Sequence, residues 1–403
     1  MGGVRHTPPR RVLQQLSHHV CEAPPDPAAA QPSSATAAGA ASAASAASAG
    51  IHSRALDAVF SSHTAAPPGA TVELLNDRGF GVRVRGIPSV QTLEPTHVRW
   101  LLSLLFRHRL LAIAGQNHLK PPEFADFAKN FGDHPEWEVF YKTSGQRNPE
   151  GLVPGHPEVL CVTSLGPGSF SYAPERGPPY LEYDLAKSAA AADPSFVANF
   201  QWHTDNSYEE IPANATMLFV NKLPKEGGKT SLADMVAAYD ALSSEMKKRI
   251  DGLTVRHYSG PGILGDHMAA TYGDRWNTAT IVSGEESATA EQRAFLGSPR
   301  HLLARPHPVT GARALYCPCA TSRGIDGMGD DDAFTLLREL TDHALQPQFR
   351  LEHQHEEGDL VCWDTGATLH KANSLPAAAT EDEVRILYRV TLKGVPKLVQ
   401  PLA

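Results

Sequence analysis

One short stretch, His203-Thr204-Asp205, places an imidazole and a carboxylate one residue apart, and a distant His370 can add a second imidazole. Side chains at i and i+2 of an extended strand point to the same side, so the first pair can meet a single metal ion. Two histidines and one carboxylate on one face of an octahedral ion leave the opposite positions open. Fe(II) uses that arrangement to hold a co-substrate and O2 together. On its own His-x-Asp is a short, common pattern that also fits a strand carrying two solvated polar groups. Longer-range order gives it weight: EGDLVCWD (357–364) reads as a turn followed by an apolar strand and delivers His370 within TLHKA (368–372).

Anion-binding groups follow. Over residues 384–392, Val384, Ile386, Tyr388, Val390 and Leu392 alternate with Arg385, Leu387, Arg389 and Thr391, a period of two that predicts a strand. Arg385 and Arg389 then share a face with Cα atoms roughly 13 Å apart, far enough to serve two anions in one cavity. A guanidinium fork matches a carboxylate or sulfonate bidentately. The same pattern would also fit two arginines on a solvated sheet face.

With these residues in place, the sequence from about 79 to 397 resembles the taurine and 2,4-dichlorophenoxyacetate dioxygenases, which are Fe(II)- and 2-oxoglutarate-dependent oxygenases. The resemblance is carried by WHTDNSYEEIPANATMLFVNKLPKEGGKTSLADM (202–235), HPVTGARALYCP (307–318), GDLVCWDTGATLHKA (358–372) and RILYRVTLKG (385–394). It implies that His203, Asp205 and His370 are the catalytic iron ligands and that Thr230 and Arg385 hold the distal carboxylate of 2-oxoglutarate. It also implies that Arg389 meets an acidic group of the substrate. Gly227-Gly228 would let the backbone come close beside Thr230, whose hydroxyl can add a hydrogen bond next to Arg385. Two further substrate contacts are implied: Asn199, and His134 of a His134-Pro135 pair. Ala198 stands where taurine-type members carry an acidic residue, and residues 143–200 replace a shorter connection, which makes that stretch a lid over the metal.

The elements that must position these groups read as helices at 95–107, 122–131, 232–250 and 331–345. Strands are expected at 110–114, 159–163, 216–221, 314–317, 349–353, 359–363 and 384–392. The fold class is α+β. Two small antiparallel sheets facing each other would bring His203 and His370 into one lumen, the double-stranded β-helix or jelly-roll core that the resemblance also implies, with helices bracing its outside. His257, His267, His307, His353 and His355 read as surface groups or as neighbours of the ligands.

Composition bounds the rest. Of 403 residues, 41% are apolar, ample for the core of a catalytic domain over 72–403. Residues 1–71 include an Ala/Ser/Pro-rich run with too few large apolar side chains to bury anything, and are expected to be disordered. The first 21 residues contain Arg5, Arg10 and Arg11 and no acidic residue, the pattern of an organellar transit peptide or simply of a loose terminus. The net charge of −8, with dispersed basic residues, excludes a nucleic-acid footprint, and no run is apolar enough to span a membrane. Five scattered cysteines fit a reducing, intracellular compartment, cytoplasm or an organelle such as a chloroplast or mitochondrion. Cys317-Pro318-Cys319 reads as two strand cysteines.

The function expected is hydroxylation of a small, anionic substrate (a sulfonate or carboxylate) with Fe(II), 2-oxoglutarate and O2, releasing succinate and CO2. Desaturation or lyase-type chemistry on the same scaffold, or a non-catalytic metal sensor, are the alternatives. The partner is a small molecule, and a homo-oligomeric state is left open.

Overall fold

The computed structural model describes residues 56–57, 59–60, 64–134, 151–191, 202–258, 263–272, 299–317, 321–373 and 375–399, all within one compact unit spanning 41–403. It is a mixed α and β structure. Its largest sheet has eight strands, in the order Thr71–Leu74, Val82–Arg85, Leu110–Ile113, Leu360–Asp364, Ala213–Lys222, Ile386–Lys393, His156–Thr163 and Leu152–Val153. All neighbours are antiparallel except Val82–Arg85 with Leu110–Ile113. A second sheet has three antiparallel strands in the order Arg350–His353, Thr230–Asp234 and Thr368–Ala372.

Period-two alternation decides which face of the large sheet meets what. Ile386, Tyr388, Val390 and Leu392 join Met217, Phe219, Leu111 and Cys362 against the helices Pro95–His108 and Pro121–Ala128, which contribute Leu101, Leu105, Phe124 and Phe127. On the opposite face Leu387, Leu218, Val220, Val361 and Trp363 pack with Leu232 of the three-stranded sheet. The outer side of that smaller sheet, through Ala233 and Leu369, packs with Leu336, Leu337 and Leu340 of the helix Asp330–Ala344. The order is therefore helices, large sheet, small sheet, helix, with one apolar layer between the sheets.

Most expected elements appear within a few residues of their expected bounds. The expected helix 232–250 is instead the strand Thr230–Asp234 followed by the helices Met235–Asp240 and Ser244–Ile250, capped by Asp234 and Ser243. The break has a physical cause: Asp234 and Ser243 accept hydrogen bonds from the amides of Ala237 and Met246, so each starts a helix instead of continuing one. The stretch 143–200 also departs from a plain lid. His156–Thr163 pairs with Ile386–Lys393 and is part of the large sheet. Tyr388 donates to the Pro179 carbonyl at 2.7 Å and Tyr180 to the Leu119 carbonyl at 2.9 Å, which ties the following segment down. Residues 143–150 and 192–200, like most of 1–71, lie outside the described residues.

Two described residues that precede the expected boundary at 72 pack on the core. Leu56 and Phe60 are buried in the large core, with the Phe60 ring stacked on Phe106 at 6.3 Å and the Arg99 guanidinium 5.7 Å from its centroid. Arg99 also donates to the Val59 carbonyl at 3.0 Å. Composition averaged over 71 residues hid two large apolar side chains near its end. Truncating a buried phenylalanine typically costs about 3 kcal/mol, so Phe60→Ala is expected to lower the unfolding free energy by that order. A chain starting at residue 71 should also melt well below one starting at residue 50; equal melting temperatures would show that this segment contributes nothing to the fold.

Candidate metal centre

The two histidines are placed by backbone pairing. His203 and His370 form an antiparallel bridge, with His203 N donating to His370 O at 3.0 Å and His370 N to His203 O at 2.8 Å. His370 belongs to Thr368–Ala372 and also faces Leu232 of Thr230–Asp234, so the bridge extends the small sheet by one short edge. Their rings lie 4.2 Å apart, and Trp363 packs 4.7 Å from the His370 ring. Only His203 is paired as in a strand. The chain then turns, Asn206 taking a left-handed φ of 55°, and Asp205 enters the site from that turn.

Asp205 reaches both imidazoles and the other sheet. Its carboxylate oxygens lie 3.8 Å from His203 Nε2 and 3.8 Å from His370 Nε2. Thr216 of Ala213–Lys222 donates to Asp205 Oδ2 at 2.5 Å, and Arg389 Nη1 is 3.9 Å from Oδ1. One ligand atom from each of His203, Asp205 and His370 falls within 4.8 Å of the others, a group able to hold a metal ion.

The protonation states suit a cation. Burial alone would raise the Asp205 carboxyl, but Arg389, His370, His203 and the Thr216 hydrogen bond together hold it well below the usual carboxylate range. Burial, with His203 alongside, pushes His370 down to about 3, so it stays neutral with a lone pair available. A deprotonated carboxylate and neutral imidazole are the forms that coordinate.

Thr230 begins the central strand of the small sheet, and Arg385 directly precedes the large-sheet strand Ile386–Lys393. Thr230 opposes both Ala372 and His353, and its Oγ1 is 2.9 Å from His355 Nε2. Arg385 is 8% exposed, and among the described residues no acidic side chain lies within ion-pair distance of it. Its Nε is buried without a hydrogen bond, and burial lowers it only to about 10, so it remains a cation. Gly227 and Gly228 adopt left-handed φ values of 79° and 71°, and a Cβ on Gly228 would sit 3.8 Å from Arg385 Cδ. The backbone does come close, as expected.

Other expected site residues fall differently. His134 is half-buried with Nε2 3.0 Å from the Ala125 carbonyl; no hydrogen bond, ion pair or ring contact joins it to the triad among the described residues. Asn199 and Ala198 lie outside those residues. Arg389 is engaged with Asp205 but keeps about a quarter of its side chain exposed, so it faces both a ligand and open space. His257, His307, His353 and His355 are all buried, which removes the surface alternative, and His355 is a neighbour of Thr230. Cys317 is buried too, its thiol pushed up to about 12 by burial, and Cys319 lies outside the described residues. Thr216 was missed because a threonine in an apolar strand carries no signal of its own.

Comparison with known proteins agrees with this geometry. Residues 71–391 match the family model described as "Taurine catabolism dioxygenase TauD, TfdA family". The chain is 28% identical over 305 residues to an alpha-ketoglutarate-dependent 2,4-dichlorophenoxyacetate dioxygenase of Burkholderia sp. (strain RASC), covering 75% of this chain and 87% of that one. It is 27% identical over 326 residues to a pentalenolactone F synthase of Streptomyces arenae, covering 81% and 92%. A crystal structure of a taurine dioxygenase from Burkholderia xenovorans shares the fold, with a TM-score of 0.55 at 24% identity over 83% of this chain and 94% of that one.

Replacing His203, Asp205 or His370 by alanine is expected to abolish stoichiometric binding of a divalent transition metal, read by metal analysis of the purified variants. Groups that orient a metal ligand typically contribute 10- to 100-fold to affinity, so Thr216→Val should weaken metal binding about 10-fold or more in a chelator competition. Wild-type affinity in Thr216→Val would mean that this hydrogen bond does not orient Asp205.

Proposed function

The chain belongs to the taurine catabolism dioxygenase TauD, TfdA family and is an oxidoreductase of the 2-oxoglutarate-dependent dioxygenase kind, and we propose that it hydroxylates a small anionic substrate, a carboxylate or sulfonate, releasing succinate and CO2. In this reading His203, Asp205 and His370 hold Fe(II), Thr230 and Arg385 hold 2-oxoglutarate, and Arg389 receives the substrate's anionic group. The observation that carries it is Arg385, a buried guanidinium without a carboxylate partner among the described residues. An isolated buried charge is costly, so a counter-ion supplied by a ligand is the natural complement.

The donor set fits the implied metal. Two imidazoles and one carboxylate, grouped on one side, are the ligand chemistry of non-haem iron(II) oxygenases. When bound, the metal supplies activation of O2 coupled to oxidative decarboxylation of 2-oxoglutarate. What the chain supplies is placement. Backbone pairing fixes His203 against His370, Thr216 orients the carboxylate of Asp205, and Trp363 walls off one side of the His370 ring. Arg385 and Thr230 present a guanidinium and a hydroxyl to one carboxylate, a charge-assisted grip whose removal typically costs about 1.5–3 kcal/mol.

We read the two facing sheets as the double-stranded β-helix core expected from sequence. Biosynthetic chemistry other than hydroxylation remains the second reading, favoured by the likeness to pentalenolactone F synthase. On composition, residues 1–50 are proposed to serve as an organellar address. Fused to a fluorescent reporter they should direct it to a chloroplast or mitochondrion, and a diffuse cytosolic signal would remove that role.

The deciding experiment follows O2 uptake and succinate release with Fe(II) and 2-oxoglutarate across small carboxylates and sulfonates. Succinate should form only when all components are present, and its absence with every substrate tested would count against the assignment. Arg385→Ala should raise the KM for 2-oxoglutarate about ten-fold or more, by the magnitude of a lost charge-assisted pair. Arg389→Ala should mainly weaken the primary substrate or uncouple O2 consumption from its oxidation. Identical 2-oxoglutarate titrations of Arg385→Ala and wild type would exclude the pocket proposed here.

A further inference from the structure

His355 stands directly behind Thr230. Their side chains meet at 2.9 Å between Nε2 and Oγ1, both residues are buried, and this is the side-chain hydrogen bond that fixes the threonine hydroxyl. The other ring nitrogen, Nδ1, is buried without a hydrogen-bond partner among the described residues. The His353 ring stands edge-on at 4.7 Å, and the charges of Arg83 and Arg385 act on the His355 ring. Burial, reinforced by His353 and the two arginines, holds His355 well below its ordinary value, so the ring is neutral and carries a single N–H.

Where that proton sits follows from the surroundings. On Nδ1 it would be a buried donor with no acceptor among the described residues, close enough to Arg385 to feel its charge. Orphaned buried N–H groups are the rarer and costlier kind of unsatisfied polar atom. On Nε2 the proton is used, and Nδ1 is left as a bare lone pair, the less costly unsatisfied atom. The Nε2–H form is therefore preferred. In that form the ring donates to Thr230 Oγ1, so the hydroxyl's own proton is free to point away from His355. The reverse arrangement would spend the threonine's one proton on the ring and turn oxygen lone pairs toward any anion in the pocket.

We propose that His355 is a positioning residue of the anion pocket: by donating from Nε2 to Thr230 Oγ1 it orients the hydroxyl as a donor toward the carboxylate that Arg385 binds. This rests on the reading of Thr230 and Arg385 as the 2-oxoglutarate pocket. The relay is a chain of two like-directed hydrogen bonds, His355 to Thr230 to carboxylate, in which each donor polarises the next. It also gives a pocket with an excess of positive charge a neutral donor in place of a third cation.

The test is binding of 2-oxoglutarate to the metal-loaded protein under anaerobic titration calorimetry, with the ring tautomer of His355 read separately from 15N shifts of histidine-labelled wild-type protein. His355→Phe, which keeps the ring and loses the donor, is expected to weaken 2-oxoglutarate about five- to ten-fold, and His355→Gln, which keeps an N–H, to recover most of that. In a Thr230→Val background the same His355→Phe change should have little further effect. Additive losses, no recovery by His355→Gln, or an Nδ1–H tautomer in the wild type would each overturn the relay. If Arg385→Ala leaves 2-oxoglutarate binding unchanged, the pocket itself has been misread; if Arg385→Ala weakens binding while His355→Phe behaves as wild type, only the positioning role fails. The tautomer measurement needs no variant and decides the matter even where His355→Phe does not fold.

Discussion

The carboxylate of Asp205 is where the two sheets are made to agree. Both histidines of the triad are fixed to the small sheet through backbone hydrogen bonds, whereas the aspartate's own side-chain partners, Thr216 and Arg389, stand on adjacent strands of the large one. A sub-ångström slide of one sheet over the other would therefore open the triad. The apolar layer of Leu218, Val220, Leu232, Val361, Trp363 and Leu387 resists such a slide, because close-packed interiors deform little. The geometry of this candidate metal site thus depends on how the two sheets pack.

The same lumen concentrates uncompensated positive charge. Arg83 is buried but paired with Asp359 at 2.8 Å and with Glu356, so it costs the fold little. Arg385, whose charge acts on His355, has no such partner among the described residues, and Arg389 Nη1 is 3.9 Å from Asp205. A buried guanidinium without an acidic partner among the described residues is costly, and that cost is what the anion proposed above would offset.

Much of this was legible in the sequence. Period-two alternation in 384–392 gave both the strand and the common face of Arg385 and Arg389, because the pleat fixes side-chain direction. The His203 and His370 pair was legible from residue type, yet their direct backbone bridge was not, since pairing between distant segments leaves no local trace. Thr230 was placed by resemblance, but the strand carrying it was read as the start of a helix. The Ala-rich sequence Leu232–Tyr239 has helical propensity throughout, and only the Asp234 cap and pairing on both sides hold its first residues extended. Tertiary pairing overrode propensity there. The role of Thr216 was invisible for the same reason as the bridge, since it exists only across sheets, and the contact of His355 with Thr230 depends on pairing between strands far apart in sequence.

The turn after Asp205 extends the dependence to a third sheet. His301, on the strand Arg300–Leu302, lies with Nε2 2.9 Å from the Ser207 carbonyl and 3.1 Å from that of Glu209, while the Ser207 hydroxyl meets Thr321 at 2.7 Å. Glu209 is bound in turn by Lys393 at the end of the central strand Ile386–Lys393, and Thr204 donates to the Thr365 carbonyl at 2.6 Å. The segment that delivers the only acidic ligand is thus held from both sides, and its left-handed Asn206, strained for a side-chain-bearing residue, is tolerated because the surroundings leave it no alternative. A carboxylate on a free turn would trade metal binding for solvation. Clamping the turn removes that competition, so a group assembled from two distant stretches of chain is still held in one arrangement.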